Sequence, residues 1–312
     1  TCCDNDMFFT LFTRICYNLH TKEKRHAILE ALTIKSVGVL LRPSTPELKD
    51  KFFQIKEIFE SHNIDVVIDT VSGGMIDVMG QEFNIMCESV DMLVTLGGDG
   101  TLISAVRRSN KYKVPVLGVH AGKLGFLADF DMEELDGFIP KLKSGDFRID
   151  ERAMLQASIH TKNGIKEIVA FNDIVLTRPS ISNMIHLETS VDGRPFNTYY
   201  GDGVIVSTPT GSTAYNLSCG GPVLFPLTQV FVVTPISPHS LTQRPVVLPG
   251  QYEIEVKTPE KSALVLVDGQ DMYEFSDEDI IKIRLAKESA RLVHRNEFNY
   301  FDVLKEKLSW GE

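Results

Sequence analysis

The sequence predicts a two-domain α+β chain, an α/β N-terminal domain followed by an antiparallel all-β C-terminal domain. Its 312 residues exceed what one hydrophobic core usually serves. Up to about Asp146, short apolar strands alternate with amphipathic helices, the pattern of parallel strands joined by right-handed crossovers. Beyond it, alternation with period two dominates, punctuated by turn dipeptides.

The elements follow in order. Residues 1–33 hold three of the five cysteines (Cys2, Cys3, Cys16) and the basic cluster Lys22–His26, and resist assignment. They carry no motif and are expected to contribute nothing to catalysis. Val37–Leu41 reads as a buried strand. Thr45-Pro46 opens a helix, with Thr45 as N-cap and Leu48, Phe52, Ile55 and Phe59 on one face. Strands are expected at Ile64–Ile68, Met92–Leu96 and Val114–Val119, and a helix carrying Leu102, Ala105 and Val106 follows the third of the four strands. This domain spans 34–146 and is expected to be completed by 297–312, where Phe301, Leu304 and Leu308 lie on one side of a last helix. The β domain spans 147–296. In Glu151–His160, Ala153, Leu155, Ala157 and Ile159 share a face; Tyr252, Ile254 and Val256 alternate with charged neighbours; Asn163-Gly164 and Asp192-Gly193 are turns.

Composition narrows the function. With 43% hydrophobic and 24% charged residues the chain reads as a soluble globular protein, and a net charge of −10 argues against a nucleic-acid groove. No apolar run approaches the roughly 18 residues of a membrane span. Asp4, Asp6 and Arg14 flank Met7–Leu11 and argue against a signal peptide. The cysteines, Cys87 and Cys219 included, show neither CxxC spacing nor a disulfide framework, so a reducing, cytoplasmic location is expected.

Two segments carry chemistry. Gly97-Gly98-Asp99-Gly100-Thr101 lies between a buried strand and a helix start, where glycines admit a phosphate chain and helical amides supply donors. By itself it also fits a plain strand-to-helix turn. A carboxylate there makes sense if Asp99 accepts a proton from an attacking hydroxyl or meets a triphosphate through Mg²⁺. Ser207–Tyr215, rich in small hydroxyl residues, suits a loop whose backbone and hydroxyls face a polar ligand, or an ordinary turn. Neither GxxxxGK followed by Ser or Thr nor the protein-kinase signature set is present. His120 and His239 have no metal-like partner at close spacing, Lys123 reads as solvated, and no protein ligand to a metal is assigned.

Together the two segments resemble the ATP-NAD kinase family, which pairs a GGDGT loop with a later TPTGSTAY-like segment. Gly118-Val119-His120, Leu124–Leu127, Asn172-Asp173, Gly201-Asp202-Gly203, Gly220-Gly221-Pro222, Thr234-Pro235 through Arg244-Pro245 and Asp268-Gly269-Gln270 extend the resemblance from about Lys35 to the C-terminus. The resemblance implies phosphorylation of the adenosine-ribose 2′-hydroxyl of NAD by ATP to give NADP, in a homo-oligomer (dimer or tetramer) with Mg²⁺ and no nucleic-acid or membrane partner. Asp99 is similar to the family's proton acceptor, with Gly100 beside the dinucleotide. Gly97, Gly98, Gly100 and Thr101 are implied for ATP phosphates. Asn172 resembles the reader of the adenine edge, and Asp173 the acid holding ribose hydroxyls. Asp202 and Thr213, Ala214, Tyr215, Asn216, Leu217 and Ser218 resemble further parts of the pocket. Phe126 is implied for apolar contact and Gln270 for a place near the reacting ribose. Position 173 is Asp where many members have Glu, and Tyr200 stands where some relatives are basic.

Two other readings compete. A lipid kinase shares GGDGT but would need an apolar acceptor pocket or a basic amphipathic helix, which the sequence lacks. A silent dinucleotide sensor would not require Asp99. Asn172 and Asp173 are adjacent in an apparent strand, so both can meet one ligand only at a strand end or bulge. The active site is expected between the domains.

Overall fold

The computed structural model describes residues 34–122, 125–180 and 183–310. The leader with its cysteines, and Lys123 and Leu124, lie outside the described residues. The first domain runs β1 (Ser36–Leu41), α1 (Lys49–Ser61), β2 (Asp65–Ile68), α2 (Thr70–Met75), α3 (Phe83–Ser89), β3 (Met92–Gly97), α4 (Asp99–Ser109), β4 (Val116–His120), α5 (Met132–Ser144) and β5 (Arg148–Arg152). Strands β1 to β4 are parallel in the order β2-β1-β3-β4. Val37, Val39 and Leu41 point to one face of the sheet against Phe52, Ile55 and Phe59 of α1 and Leu135, Phe138 and Leu142 of α5. On the other face, Leu40 and Leu93 meet Met86 of α3 and Leu102 and Val106 of α4. Burying each large apolar side chain here stabilises the fold by roughly 1.5–3 kcal/mol.

Helix α1 starts later than Thr45-Pro46 suggests. Pro46–Leu48 form a 3₁₀ turn, and the Thr45 hydroxyl donates to the Arg42 carbonyl rather than capping the helix. This domain also contains three helices that the sequence reading does not predict. Two glycines obscure the apolar pattern of α2. Helix α3 has only seven residues. Helix α5 carries a capping box between Asp131 and Glu134, an available signal.

The second domain is a sandwich of two six-stranded antiparallel sheets. Its strands are β6 (Leu155–Thr161), β7 (Gly164–Ala170), β8 (Asp173–Thr177), β9 (Ile185–Val191), β10 (Arg194–Gly201), β11 (Gly203–Ser207), β12 (Val230–Ile236), β13 (Val246–Pro249), β14 (Ile254–Lys257), β15 (Ala263–Val267), β16 (Asp271–Phe275) and β17 (Ile280–Leu285), with a short helix α6 (Tyr215–Ser218) after β11. The orders are β10-β9-β14-β17-β6-β7 and β13-β12-β11-β8-β15-β16. Leu155, Ala157 and Ile159 from one sheet pack against Ile174, Leu176, Val204 and Val206 from the other. Asp192-Gly193 has positive φ at both residues (48° and 74°), the type I′ geometry that an Asp-Gly hairpin favours.

The sheets do not divide at residue 146. Strand β5 and the last strand, β18 (Ala290–His294), add to the first sheet, β18 lying between β4 and β5. The single strand expected over Glu151–His160 is therefore two, because the chain passes between sheets at Ala153-Met154. Helix α7 (Tyr300–Leu308) buries Tyr300, Val303 and Leu304, while Phe301, expected inward, is exposed. It borders the loop after β4, lining with Phe126, Asp129 and Glu134 a cleft of about 470 Å³. Among the described residues no helix is long and apolar enough to cross a membrane.

Candidate active site

Strand β3 delivers Gly97 to the carboxyl edge of the parallel sheet, where ligands of open α/β sheets bind. Gly98 is the extended N-cap of α4 and Asp99 its first residue. A Cβ on Gly97 would strike the Thr101 side chain at 2.3 Å, so this glycine is a packing requirement and Thr101 is buried beneath it. Gly98 and Gly100 face open space, where a phosphate could approach the first amides of the helix.

The Asp99 carboxylate turns toward the loop after β4. Its Oδ2 accepts from the Phe126 amide at 2.9 Å, and its Oδ1 from Leu127 and Ala128 at 3.2 and 3.3 Å. Gly125 makes room for this, since a Cβ there would lie 2.0 Å from Oδ1. Each carboxylate oxygen accepts about two bonds, so Oδ2 keeps capacity for one more. Phe126, half-buried, packs against the α4 side of the first domain.

Across from this loop, Asn172 lies in a bend and Asp173 opens β8, so the pair sits at a strand end. The backbone there is held from both sides. The Asp268 carboxylate, fully buried, accepts from the amides of Phe171, Asn172 and Asp173 at 2.8, 2.7 and 2.9 Å. From the other side, the Thr208 hydroxyl donates to the Phe171 carbonyl at 2.7 Å, and the Thr208 amide and Ser207 hydroxyl donate to the Asn172 carbonyl. Gly211 lies flat on the Asn172 backbone, where a Cβ would come within 2.2 Å of its carbonyl oxygen. The Asn172 Oδ1 is buried without a protein partner. Burial, with the Asp268 charge beside it, pushes the Asp173 carboxyl up to about 7.

The two halves are bridged. On α4, Arg107 places Nε 3.2 Å from Asp268, reaches the Gln270 side chain and pairs with Asp271. The Gln270 side-chain amide donates to the Gly100 carbonyl at 2.9 Å. Nothing in the sequence singles out Arg107, and Asp268 stands there only in the Asp268-Gly269-Gln270 segment of the family resemblance.

The later segment turns its hydroxyls inward. Its hydroxyls bind backbone rather than an open face: Ser212 donates to the Pro209 carbonyl, and Thr213 faces that of Thr210. Asn216 is fully buried, its amide group donating to Ser212 and Pro222 and accepting from Thr234. Tyr215 and Ser218 are exposed, and Ala214 and Leu217 are half-buried. Asp202 lies beyond the far end of the β8–β11 pairing, in which Ser207 opposes Asp173 and Gly203 opposes Thr177. That puts it five strand steps, roughly 16 Å, from Asp173. It is ion-paired with Arg178 at 3.0 Å. Tyr200 stacks on His186.

Residues 37–147 match the model of the ATP-NAD kinase N-terminal domain and residues 171–295 that of the ATP-NAD kinase C-terminal domain. The chain belongs to the ATP-NAD kinase family. It is 57% identical over 279 residues to the NAD kinase of Sulfurimonas denitrificans, covering 89% of this chain and 98% of that protein. The NAD kinase of Wolinella succinogenes is 50% identical, with 90% and 97% covered. Among solved structures, yeast NADH kinase complexed with NADH superposes with a TM-score of 0.82 at 27% identity, covering 90% of this chain and 89% of that one. An NAD kinase from Archaeoglobus fulgidus in complex with ATP gives 0.70 at 25%, covering 88% and 98%. Membership makes this chain a phosphotransferase that phosphorylates NAD with ATP.

Proposed function

We propose that the adenosine-ribose 2′-hydroxyl of NAD attacks the terminal phosphorus of ATP in the crevice between the Asp99 loop and the Asn172-Asp173 strand end. The observation carrying this reading is the bridge of Gln270 to Gly100 and Arg107 to Asp268, which sets the two motifs face to face. The O2′–phosphorus bond forms as the bond from phosphorus to the ADP oxygen breaks, giving NADP and ADP. The hydroxyl proton passes to the remaining lone pair of Asp99 Oδ2. Amides at the start of α4, beside the open faces of Gly98 and Gly100, hold donor phosphates. Asn172 Oδ1, buried and unpartnered, takes the adenine amino group, and Asp173 takes ribose hydroxyls. Asp202 serves the far end of the ligand, a separation that a dinucleotide spans and a single ribose does not, and exposed Tyr215 lines the pocket. Asn216 supports the pocket from beneath. Most of the rate comes from positioning and charge neutralisation.

Among the described residues no cluster of three or more His, Cys, Asp or Glu is placed to hold a metal. Mg²⁺ would arrive on the triphosphate oxygens, where it neutralises charge. The free thiols of Cys87 and Cys219 fit a cytoplasmic location, and the family resemblance supports a homo-oligomer, which light scattering would test. The deciding experiment is a coupled assay for NADP formation from NAD, ATP and Mg²⁺. No NADP above background from folded protein would refute the reading.

A further inference from the structure

Neighbours in a regular strand point to opposite faces, so Asn172 and Asp173 address one ligand only because the backbone curls as it enters β8. The curl has a definite cause. Three consecutive amides, of Phe171, Asn172 and Asp173, converge on one fully buried carboxylate, that of Asp268. A buried carboxylate without a cation is strongly unfavourable, and Arg107 supplies one from the other domain. Arg107 follows Gly100 by seven residues, two helical turns, so the two lie on one face of α4. The β15–β16 turn docks on that face twice, through Arg107 and through the Gln270–Gly100 bond. An ordinary interdomain strut would need only one of these contacts and would have no reason to gather the amides of the two residues aimed at the ligand.

We propose that Asp268, braced by Arg107, is the positioning residue that aims Asn172 and Asp173 at the dinucleotide, and that Gln270 ties that setting to the Asp99 loop. This rests on the reading of Asn172 and Asp173 as NAD contacts. Because the Asp268 charge also helps to raise the Asp173 carboxyl, removing it should move the pH dependence of NAD binding as well as its strength.

The test compares steady-state kinetics of Asp268→Asn, Arg107→Met, Arg107→Lys and Asn172→Ala, with thermal unfolding of each. In Asp268→Asn one amide acceptor becomes a donor facing N–H groups. KM for NAD should rise about tenfold or more, as expected for losing bonds to a charged acceptor. KM for ATP should stay within about twofold, and the inflection of the NAD KM–pH profile should fall. Arg107→Met should raise KM for NAD likewise but should not lower that inflection, since it leaves the Asp268 charge in place, and Arg107→Lys should recover part of the loss. If Asp268→Asn does not fold, the Arg107 pair carries the comparison. An unchanged NAD KM in folded Asp268→Asn or Arg107→Met overturns the proposal, as does a parallel rise of both KM values. Asn172→Ala separates the causes. If it raises KM for NAD while the Asp268 and Arg107 variants do not, the positioning role fails and the site stands; if none of them does, both fall.

Discussion

Asp99 begins α4 with both carboxylate oxygens engaged by the amides of Phe126, Leu127 and Ala128. Its substitution by Asn is therefore less clean than the GGDGT motif alone suggests, since the new NH₂ faces at least one N–H donor. Loss of the base should lower kcat about 10²–10⁴-fold. Kinetics and NAD titration on Asp99→Asn distinguish the roles: retained NAD binding with collapsed turnover marks a base, and lost binding marks a ribose anchor. Asp173 makes a pH prediction. Its carboxyl, pushed up to about 7 by burial and the Asp268 charge, lies above the ordinary value of 3.8, so the fold disfavours the ionised form. The folded protein binds more protons between those values, and stability falls as pH rises from about 4 to 7. Asp173→Asn should then be the more stable protein at about pH 8, by up to roughly 4 kcal/mol, with the gap closing near pH 4. Urea unfolding across that range measures it. In wild type, KM for NAD should rise as pH falls through about 7, because a protonated Asp173 accepts less from ribose hydroxyls.

At the scale of elements, the loop after β4 is as much a part of the site as the glycine loop. Gly125→Ala would drive a methyl into Asp99 Oδ1 at 2.0 Å and break the three amide contacts. Turnover should drop by about tenfold or more while the unfolding midpoint moves little, a pattern that kinetics and calorimetry on one preparation can check. Elements with clear periodicity were legible in the sequence: β1 and β3 as apolar runs, α1 and α4 from residues recurring every three or four positions. The motifs pointed to Asp99, Asn172 and Asp173, which the fold brings to one crevice. What could not be read is whatever depends on distant partners. The bond of Arg107 to Asp268, the burial of Asn216 and the use of Ser207 and Thr208 to hold backbone all arise from contacts between segments remote in sequence. Local pattern shows a hydroxyl-rich loop and leaves open which way its hydroxyls turn. The same limit explains β5 and β18, whose short apolar alternations suit either sheet.

Over the whole molecule, the junction between domains contains a buried ionic group. Arg152 pairs with Asp150 at 2.9 Å, and His294 lies 3.1 Å from Asp129 and 3.7 Å from Asp150. Arg152→Met should cost less than the roughly 3–5 kcal/mol of an uncompensated buried charge, because Arg148 still pairs with Asp150 at 3.1 Å, whereas a paired Arg148→Met, Arg152→Met replacement should reach that loss. Chemical denaturation of both variants tests this; equal loss in the two would show that Arg148 does not compensate Asp150. The strands carrying it have a consequence for synthesis. Strand β18 fills the place between β4 and β5, and the entire sandwich is made before it. On the ribosome the first parallel strands must therefore wait with β4 as an open, apolar edge until residue 294 emerges, a delay during which edge-to-edge association competes with native closure. A nascent chain stopped before Ala290 should accordingly bind chaperones and precipitate, while a few more residues release it.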